Sequence, residues 1–196
     1  GSEMCIRDRP LGRPTVDDRT TSAESREPFD PDRSSDSRYL RVQWPAAPNV
    51  RAVVTTRLGG HSRIPFDSQN LGLHVGDDPA RVHANREGLR DALSLSAEPL
   101  WLDQVHGTQV VAIDTLGPVA ATPPVADASW TAQSERVCAI MTADCLPVLL
   151  CDRAGTVVAA AHAGWRGLAS GILEATVAAL PVPADELLAW IGPGIG

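Results

Sequence analysis

The sequence predicts an α+β domain in which mixed β-sheets are flanked by helices. Short apolar runs rich in valine, leucine and isoleucine predict strands, and two longer segments with apolar residues at helical spacing predict helices. Glycine, proline and aspartate stand between these segments as turn signals. A chain of 196 residues with 43% hydrophobic residues is sufficient for one domain with its own core.

The predicted domain covers residues 39–196, because residues 1–38 differ in composition. That segment carries 16 charged residues of both signs, several prolines and serines, and almost no apolar periodicity. It cannot bury enough surface to offset its ordering entropy, which predicts a disordered tail. Its first nine residues, including Cys5, resemble translated sequencing adapter and are left out of the predicted fold.

The first half of the domain is predicted to contain strands around one helix. Residues 51–56 indicate a strand that ends at a Gly-Gly loop. A helix is predicted over 78–95, because Asp78 followed by proline is a typical helix start. Two further strands are expected at 101–104 and 108–114, on either side of a His-Gly turn, and a loop rich in proline and alanine follows them.

The second half of the domain is predicted to be mostly strand. Strands are expected at 137–142, 146–151 and 156–161, and an Asp-Arg-Ala-Gly turn joins the last two as a hairpin. A second helix is predicted over 166–180 from its apolar spacing. A final strand is expected at 187–191.

The charge and hydropathy of the chain exclude several classes of function. A formal net charge of −7 argues against a nucleic-acid surface, which needs clustered positive charge. No apolar run approaches the roughly 18 residues that cross a bilayer. All 17 basic residues are arginine, so lysine-based chemistry such as a Schiff base is excluded.

The four cysteines favour a reduced, cytoplasmic compartment. None forms a CxxC pair, the chain is not small, and no signal-peptide pattern opens it. Cys138 and Cys151 lie inside apolar runs and are expected to be buried, inert thiols.

Three residues far apart in the chain are candidate ligands of one catalytic zinc: His106, Cys145 and His162. One thiolate and two imidazoles would leave the fourth position of a tetrahedral zinc open for water or substrate. The gaps of 39 and 17 residues match no standard metal motif. From spacing alone, a buried cysteine and an exposed turn histidine remain open as alternatives.

The surroundings of Cys145 and His162 suggest an anion site. His162 ends an apolar run and is followed by a glycine-bearing loop and a helix, an arrangement that directs free N–H groups at an anion. Arg166 at that helix start adds donors suited to phosphate. Asp144 is interpreted as an acceptor for a ligand, a general acid or base, or a turn-forming residue. Pro147 predicts a kink or a sheet edge.

Seven phrases of the sequence resemble one known family. The chain is similar in these phrases to the YfiH-type family, also called the laccase-domain or multicopper polyphenol oxidase-like family, whose members are mostly regarded as purine nucleoside phosphorylases. The resemblance covers about residues 41–196 in order. The phrases are TTRLGG (55–60), NLGLHVGD (70–77), WLDQVHG (101–107), ADAS (126–129), MTADCLPV (141–148), AAHAGWRG (160–167) and IGPGIG (191–196).

The resemblance implies a YfiH-like layered architecture, similar to that of cysteine-dependent hydrolases, and a bound metal. In that family the histidine of QVHG, the cysteine of ADC and the histidine of HAGWRG bind zinc. In this sequence they are His106, Cys145 and His162. The implied cofactor is therefore Zn²⁺, and copper is the less favoured metal.

The resemblance also implies the substrates and the remaining site residues. Family members cleave purine nucleosides with phosphate and are described as deaminating adenosine, so the implied partners are a purine nucleoside and phosphate. Asp144 and Arg57 are the catalytic candidates, and Arg166 and Asn70 are the candidates for binding substrate or phosphate.

Three other functions remain as alternatives. A copper-dependent polyphenol oxidase would need many histidines, and this chain has five with no His-x-His. A cysteine or zinc hydrolase that edits peptidoglycan precursors would use Cys145 with a histidine base. A structural metal site would have four protein ligands. Because family members continue past residue 196, the chain is expected to lack the C-terminal part of the domain.

Overall fold

The computed structural model describes residues 2–7, 36–117 and 122–195. In chain order its elements are β1 (Ser2–Arg7), β2 (Tyr39–Arg41), β3 (Val50–Thr55), α1 (Pro79–Ala92), β4 (Val110–Ala112), β5 (Ala128–Thr131), β6 (Val137–Met141), β7 (Leu146–Asp152), β8 (Val158–Ala163), α2 (Trp165–Ser170), α3 (Ile172–Ala179) and β9 (Leu187–Ile191). Two short 3₁₀ turns, Ile113–Thr115 and Ala184–Glu186, follow β4 and precede β9.

The strands form two sheets. The first has the strand order β2-β3-β1-β6, and all of its pairs are antiparallel. The second has the order β4-β5-β8-β7-β9 and is mixed, because β4 and β5 pair in parallel. The predicted α+β class with mixed sheets is confirmed.

The sheets and helices stack in four layers. One core lies between the two sheets, and Ile140 of β6 and Leu149 of β7 are fully buried there. A second core lies between the outer face of the first sheet and α1, through Leu89. A third lies between the outer face of the second sheet and α3, through Ile172. A sheet that is apolar on both faces needs this double cover, since each face must exclude water.

Strand β1 differs at Ser2–Arg7 from the prediction that residues 1–38 form a disordered tail. Its backbone pairs with β3 on one side and β6 on the other, with Cys5 opposite both Ala52 and Cys138. The average composition of 38 residues does not reveal a six-residue segment within them. The backbone of this segment provides hydrogen-bond partners for the edges of two neighbouring strands. Residues 8–35 lie outside the described part of the chain.

Helix α1 begins as predicted, because the side chain of Asp78 accepts a hydrogen bond from the N–H of Ala80. The second predicted helix is instead two helices, α2 and α3. Gly171 separates them with a φ of 95°, a left-handed conformation that only glycine adopts readily. Apolar spacing is continuous through this break, so the pattern alone does not reveal it.

Other strand predictions differ from the structure at particular places. Residues 101–104 are not a strand but an irregular segment joined to its neighbours by isolated bridges. The predicted strand at 108–114 is shortened to β4. Pro147 was predicted to mark a kink or a sheet edge, and of these two the edge is wrong, since β7 lies between β8 and β9. Pro147 is the second residue of β7, where a missing N–H is tolerated.

The remaining strands agree with the prediction or were missed by it. The predicted strands at 51–56, 137–142, 146–151, 156–161 and 187–191 are confirmed within two residues at each end. Strands β2 and β5 were not predicted. In the described part of the chain, no helix has the length and apolarity that crossing a membrane requires.

Candidate metal centre

The three candidate ligands come from three separate places in the chain. His106 lies in the irregular segment before β4, Cys145 in the turn between β6 and β7, and His162 near the end of β8. Their ligating atoms all lie within 4.8 Å of one another. Cys145 Sγ is 3.7 Å from His106 Nε2, and the two imidazole rings meet edge to face with their centroids 4.7 Å apart.

The hairpin of β7 and β8 explains how Cys145 and His162 meet. The two strands are antiparallel, with Leu146 opposite Ala163 and Pro147 opposite His162. The predicted turn between them is confirmed, because the N–H of Gly155 donates to the carbonyl of Asp152. A residue just before β7 therefore lies beside the last residues of β8, so two ligands 17 positions apart are neighbours.

Asp127 connects His162 to the turn that carries His106. Its side chain is completely buried just before β5. One carboxylate oxygen, Oδ1, lies 2.8 Å from His162 Nδ1 and accepts from the N–H of His106 at 2.9 Å. The other, Oδ2, accepts from the N–H groups of Val105 and Gly107 at 3.2 and 2.7 Å. The carboxylate thus contacts both ligand-bearing segments.

Gln104 connects the same turn to the end of β6. Its amide nitrogen donates to the carbonyl of Met141 at 2.8 Å, and its amide oxygen accepts from the N–H of Met141 at 2.8 Å. This pair of bonds imitates a strand ladder. It holds the backbone two residues before His106 beside the backbone four residues before Cys145.

Gly164 provides the space in which two ligands approach each other. A Cβ atom built at this position would lie 2.7 Å from His106 Cδ2 and 2.9 Å from Cys145 Sγ. Its φ of −65° and ψ of 156° are open to any residue, so the absence of a side chain here is a matter of space rather than of backbone conformation.

The donor set fits a tetrahedral metal. Ligand bonds of about 2.0 to 2.3 Å separate the ligating atoms by about 3.3 to 3.8 Å. The 3.7 Å between Cys145 Sγ and His106 Nε2 lies within this range. The widest separation between ligating atoms in the trio is at most 4.8 Å, so these atoms would have to approach each other by about 1 Å to bind one metal. Because Asp127 occupies His162 Nδ1, the nitrogen left for a metal is Nε2.

Cys138, Cys145 and Cys151 differ in their acid–base environment. Burial raises the pKa of the Cys138 and Cys151 thiols to about 12, which agrees with their expected role as inert core residues. Burial also raises the pKa of Cys145, and the nearby carboxylates of Asp144 and Asp127 raise it further. Without a metal, Cys145 is therefore a protonated thiol at neutral pH.

Asp144 and Arg166 are close to the trio in sequence and exposed to solvent. Asp144 Oδ1 lies 3.6 Å from Cys145 Sγ. The guanidinium of Arg166 lies over the ring of Trp165, 5.3 Å from its centroid, and Trp165 is 72% exposed. The expected helix N-terminus is weak, because α2 has only six residues.

Arg57 and Asn70 belong to a separate loop, residues 57–77. The Arg57 guanidinium donates to the carbonyl of Asp67 at 2.8 Å and lies 3.5 Å from its carboxylate. The amide of Asn70 donates to Asp77 at 3.0 Å. The structure therefore does not bring these two side chains into the contacts that hold the trio.

Helix α1 holds that loop through two buried side chains. The side-chain oxygen of Asn85 accepts a hydrogen bond from the N–H of His61, and its amide nitrogen donates to the carbonyl of Asn70. Arg86 donates to the carbonyl of Leu71 at 2.6 Å and contacts the sulfur of Met141 at 3.9 Å. Burial lowers the pKa of Arg86 to about 10, and it still carries its charge at neutral pH. Arg86 therefore contacts both this loop and Met141, the last residue of β6, to which Gln104 is also hydrogen-bonded.

Sequence reasoning missed Asp127, Gln104 and Gly164. Each belongs to a phrase that the family resemblance includes, but none was given a role. A signal existed for Asp127, which is a single charge between alanines at the start of a buried segment, where an unpaired carboxylate is unfavourable. The roles of Gln104 and Gly164 depend on tertiary contacts that spacing cannot reveal.

Comparison with known proteins gives consistent matches over most of the chain. The family model described as multi-copper polyphenol oxidoreductase laccase matches residues 51–196. The chain is 59% identical over 158 residues to a purine nucleoside phosphorylase of Pseudomonas aeruginosa, covering 81% of this chain and 62% of that protein. It is 51% identical over 160 residues to the purine nucleoside phosphorylase YfiH of Escherichia coli, covering 82% and 65%. The chain thus spans less than two thirds of the length of these relatives.

Solved structures give the same picture. A crystal structure of a Neisseria meningitidis protein of the DUF152 family superposes with a TM-score of 0.74 at 50% identity, covering 81% of this chain and 63% of that one. The crystal structure of YlmD from Geobacillus stearothermophilus gives a TM-score of 0.66 at 32% identity, covering 72% and 57%.

Proposed function

Because the chain belongs to the multi-copper polyphenol oxidoreductase laccase family, whose curated relatives are named purine nucleoside phosphorylases, we propose that it contributes the zinc site of a purine nucleoside phosphorylase. The observation that carries this proposal is the convergence of His106, Cys145 and His162 within 4.8 Å. Adenosine, inosine, guanosine and methylthioadenosine are the substrates proposed.

The proposed reaction transfers the ribose of a nucleoside from the purine to phosphate. A phosphate oxygen attacks ribose C1′, the bond from C1′ to the purine nitrogen breaks, and the products are ribose 1-phosphate and the free base. Zinc, when bound, supplies positive charge and an open coordination position to orient an anionic oxygen.

The side chains of this chain supply the remaining chemistry in the proposal. Arg166 is exposed at the start of α2 and binds phosphate through its planar fork of donors. Asp144 is exposed beside Cys145 and passes a proton from the attacking phosphate to the nitrogen of the departing purine. Arg57 and Asn70 contact the substrate from the loop that α1 anchors.

Zinc is proposed over copper, although the family name refers to copper. A Cys-His-His set can also form a blue-copper site, which adds a weak axial ligand that is often methionine. A multicopper oxidase needs many histidines, and this chain has five with no His-x-His, which supports the assignment of the trio to zinc. Metal analysis of the purified protein distinguishes the two ions.

The alternative of a metal-free cysteine hydrolase has less support. Such an enzyme needs a thiolate, and it activates the thiol by a lowered pKa or an adjacent base. The pKa of Cys145 is raised by burial and by Asp144, which disfavours a thiolate even though His106 lies 3.7 Å from the sulfur. Activity that survives complete chelation of metals would favour this alternative.

The proposal is tested by release of hypoxanthine from inosine in the presence of phosphate. We expect Cys145→Ala to lose at least about 100-fold in rate, because losing a residue that merely orients a ligand already costs about 10- to 100-fold. The matched control is Cys151→Ala, a buried cysteine in β7, which keeps the rate of the parent protein.

Two further arms separate the related reactions. Omitting phosphate should abolish release of the base, and adenosine in place of inosine reports deamination, the second activity proposed for this site. The zinc-dependent proposal would be overturned by a Cys145→Ala variant that releases hypoxanthine as fast as the parent.

A further inference from the structure

Asp127 is a buried carboxylate in which every acceptor site is used. Oδ1 accepts the N–H of His106 and lies 2.8 Å from His162 Nδ1, and Oδ2 accepts the N–H groups of Val105 and Gly107. A carboxylate has about four lone-pair sites, so this arrangement leaves none free. The side chain has no exposed surface.

Three of these four donors fix the conformation of the turn that carries His106. The N–H groups of residues 105, 106 and 107 converge on one carboxylate, which requires a tightly curved backbone. His106 has a φ of 60°, in the left-handed region that residues with a side chain seldom occupy. The carboxylate is the group that holds the backbone in this conformation.

The fourth donor fixes the ring of His162. Because the carboxylate already accepts three backbone N–H groups, it is placed as an acceptor for Nδ1 of His162 as well, which assigns the ring proton to Nδ1. The lone pair of the imidazole is then on Nε2, the nitrogen available to face His106 and Cys145. A backbone hydrogen bond also holds the two residues side by side, because the N–H of His162 donates to the carbonyl of Asp127 at 2.7 Å.

A second buried carboxylate in the chain shows what a purely structural role looks like. Asp152 accepts from the N–H groups of Thr156 and Val157 and from the Thr156 hydroxyl, and it caps the hairpin of β7 and β8. None of these three bonds leads to a candidate ligand. Asp127 makes a similar number of bonds, but they hold two of the three candidate ligands.

We propose that Asp127 is the positioning residue of the metal centre, which sets the turn of His106 and the tautomer of His162 together so that both imidazoles are presented to one metal ion. This inference rests on the metal site of the proposed function but not on the reaction. It assigns to one carboxylate the coupling between two ligands that lie 56 positions apart in the sequence.

The test compares Asp127→Asn with Asp152→Asn. An amide keeps one acceptor oxygen and turns the other into a donor that opposes N–H groups, so it cannot satisfy the four partners of Asp127. We expect Asp127→Asn to weaken zinc binding by about 10- to 100-fold, measured by competition with a chromophoric chelator. Asp152→Asn should lose stability but keep the zinc affinity of the parent within about twofold.

A second measurement does not use the metal. In ¹⁵N spectra of the metal-free parent, we expect His162 to be the Nδ1–H tautomer, and in Asp127→Asn we expect this preference to disappear. A parent with the proton on Nε2 overturns the inference, and so does an Asp127→Asn variant with the zinc affinity and tautomer of the parent. Because the first result needs only the parent, the test holds even if the variant does not fold.

Failure of the inference is distinguishable from failure of the proposed function. A parent that binds zinc through the trio but does not cleave nucleosides would contradict the proposed reaction and leave the role of Asp127 intact. Equal zinc affinity in the parent and Asp127→Asn would remove the role of Asp127 whatever reaction the site performs.

Discussion

At the scale of single residues, the candidate site depends on groups that do not look functional in the sequence. The trio itself could be proposed from its phrases, since a cysteine and two histidines are the residues that bind zinc. The residues that hold the trio could not. Whether a carboxylate meets three backbone N–H groups, as Asp127 does, is decided by a loop whose path the sequence pattern does not specify.

Gly164 gives a prediction at this scale. A methyl group here would press on His106 and Cys145 at 2.7 and 2.9 Å, while the backbone conformation remains allowed for alanine. We expect Gly164→Ala to weaken zinc binding by at least about 10-fold, measured by chelator competition, because the ligands must separate.

Gly88→Ala is the matched control for Gly164→Ala. Gly88 lies in α1, and a Cβ there would meet nothing within 4 Å. Alanine in a helix interior should stabilise the protein by about 0.5 to 1 kcal/mol without changing zinc affinity. If both glycine variants bind zinc like the parent, the close approach at Gly164 has no bearing on the metal centre.

At the scale of elements, local signals predicted the existence of the helices and strands better than where they end or how they are connected. The start of α1 was predictable because Asp78 and the proline after it act locally. The division of α2 from α3 was not, because apolar spacing continues across Gly171. Of the two structures predicted from Pro147, a kink or a sheet edge, the edge was wrong for a similar reason, since the neighbours of β7 are determined by the whole sheet.

The hairpin of β7 and β8 gives a prediction about pH. Burial would raise the pKa of Asp152, but the Thr156 hydroxyl and the N–H groups of Val157 and Thr156 lower it below its ordinary value. A lowered pKa in the folded state stabilises the protein above the unfolded pKa, and this contribution is lost as the pH falls through the folded pKa.

Replacing Asp152 by asparagine should therefore destabilise the protein in a pH-dependent way. At pH 7 we expect Asp152→Asn to lower the free energy of unfolding by about 1 to 3 kcal/mol, measured by urea denaturation. The difference from the parent should begin to shrink as the pH falls below about 4, the ordinary pKa of the unfolded state, and should be smallest once the pH is below the lower pKa of the folded state. The exposed Asp185→Asn is the control, and an Asp152→Asn deficit that stays constant with pH would contradict the assignment.

At the scale of the whole molecule, the candidate centre joins the two sheets. Cys145 follows β6 of the first sheet and precedes β7 of the second, while His162 lies on β8. The order of the strands, and hence the meeting of these residues, could not be obtained from local pattern. The strand order was not predicted, and the expectation that the three residues meet at one metal was supported by the family resemblance, which the family match and the solved structures confirm.

A metal bound at this junction should stabilise the folded protein as a whole. A ligand that binds only the folded state adds about 2.7 kcal/mol when its concentration is 100 times its dissociation constant. For a chain of this size that corresponds to an increase in Tm of about 5 to 11 °C. We expect this increase when zinc is added to the metal-free parent, measured by thermal unfolding followed by circular dichroism. Cys145→Ser should abolish it and Cys151→Ala should keep it, since only Cys145 belongs to the trio. An equal increase in the parent and Cys145→Ser would show that zinc stabilises the protein from another place.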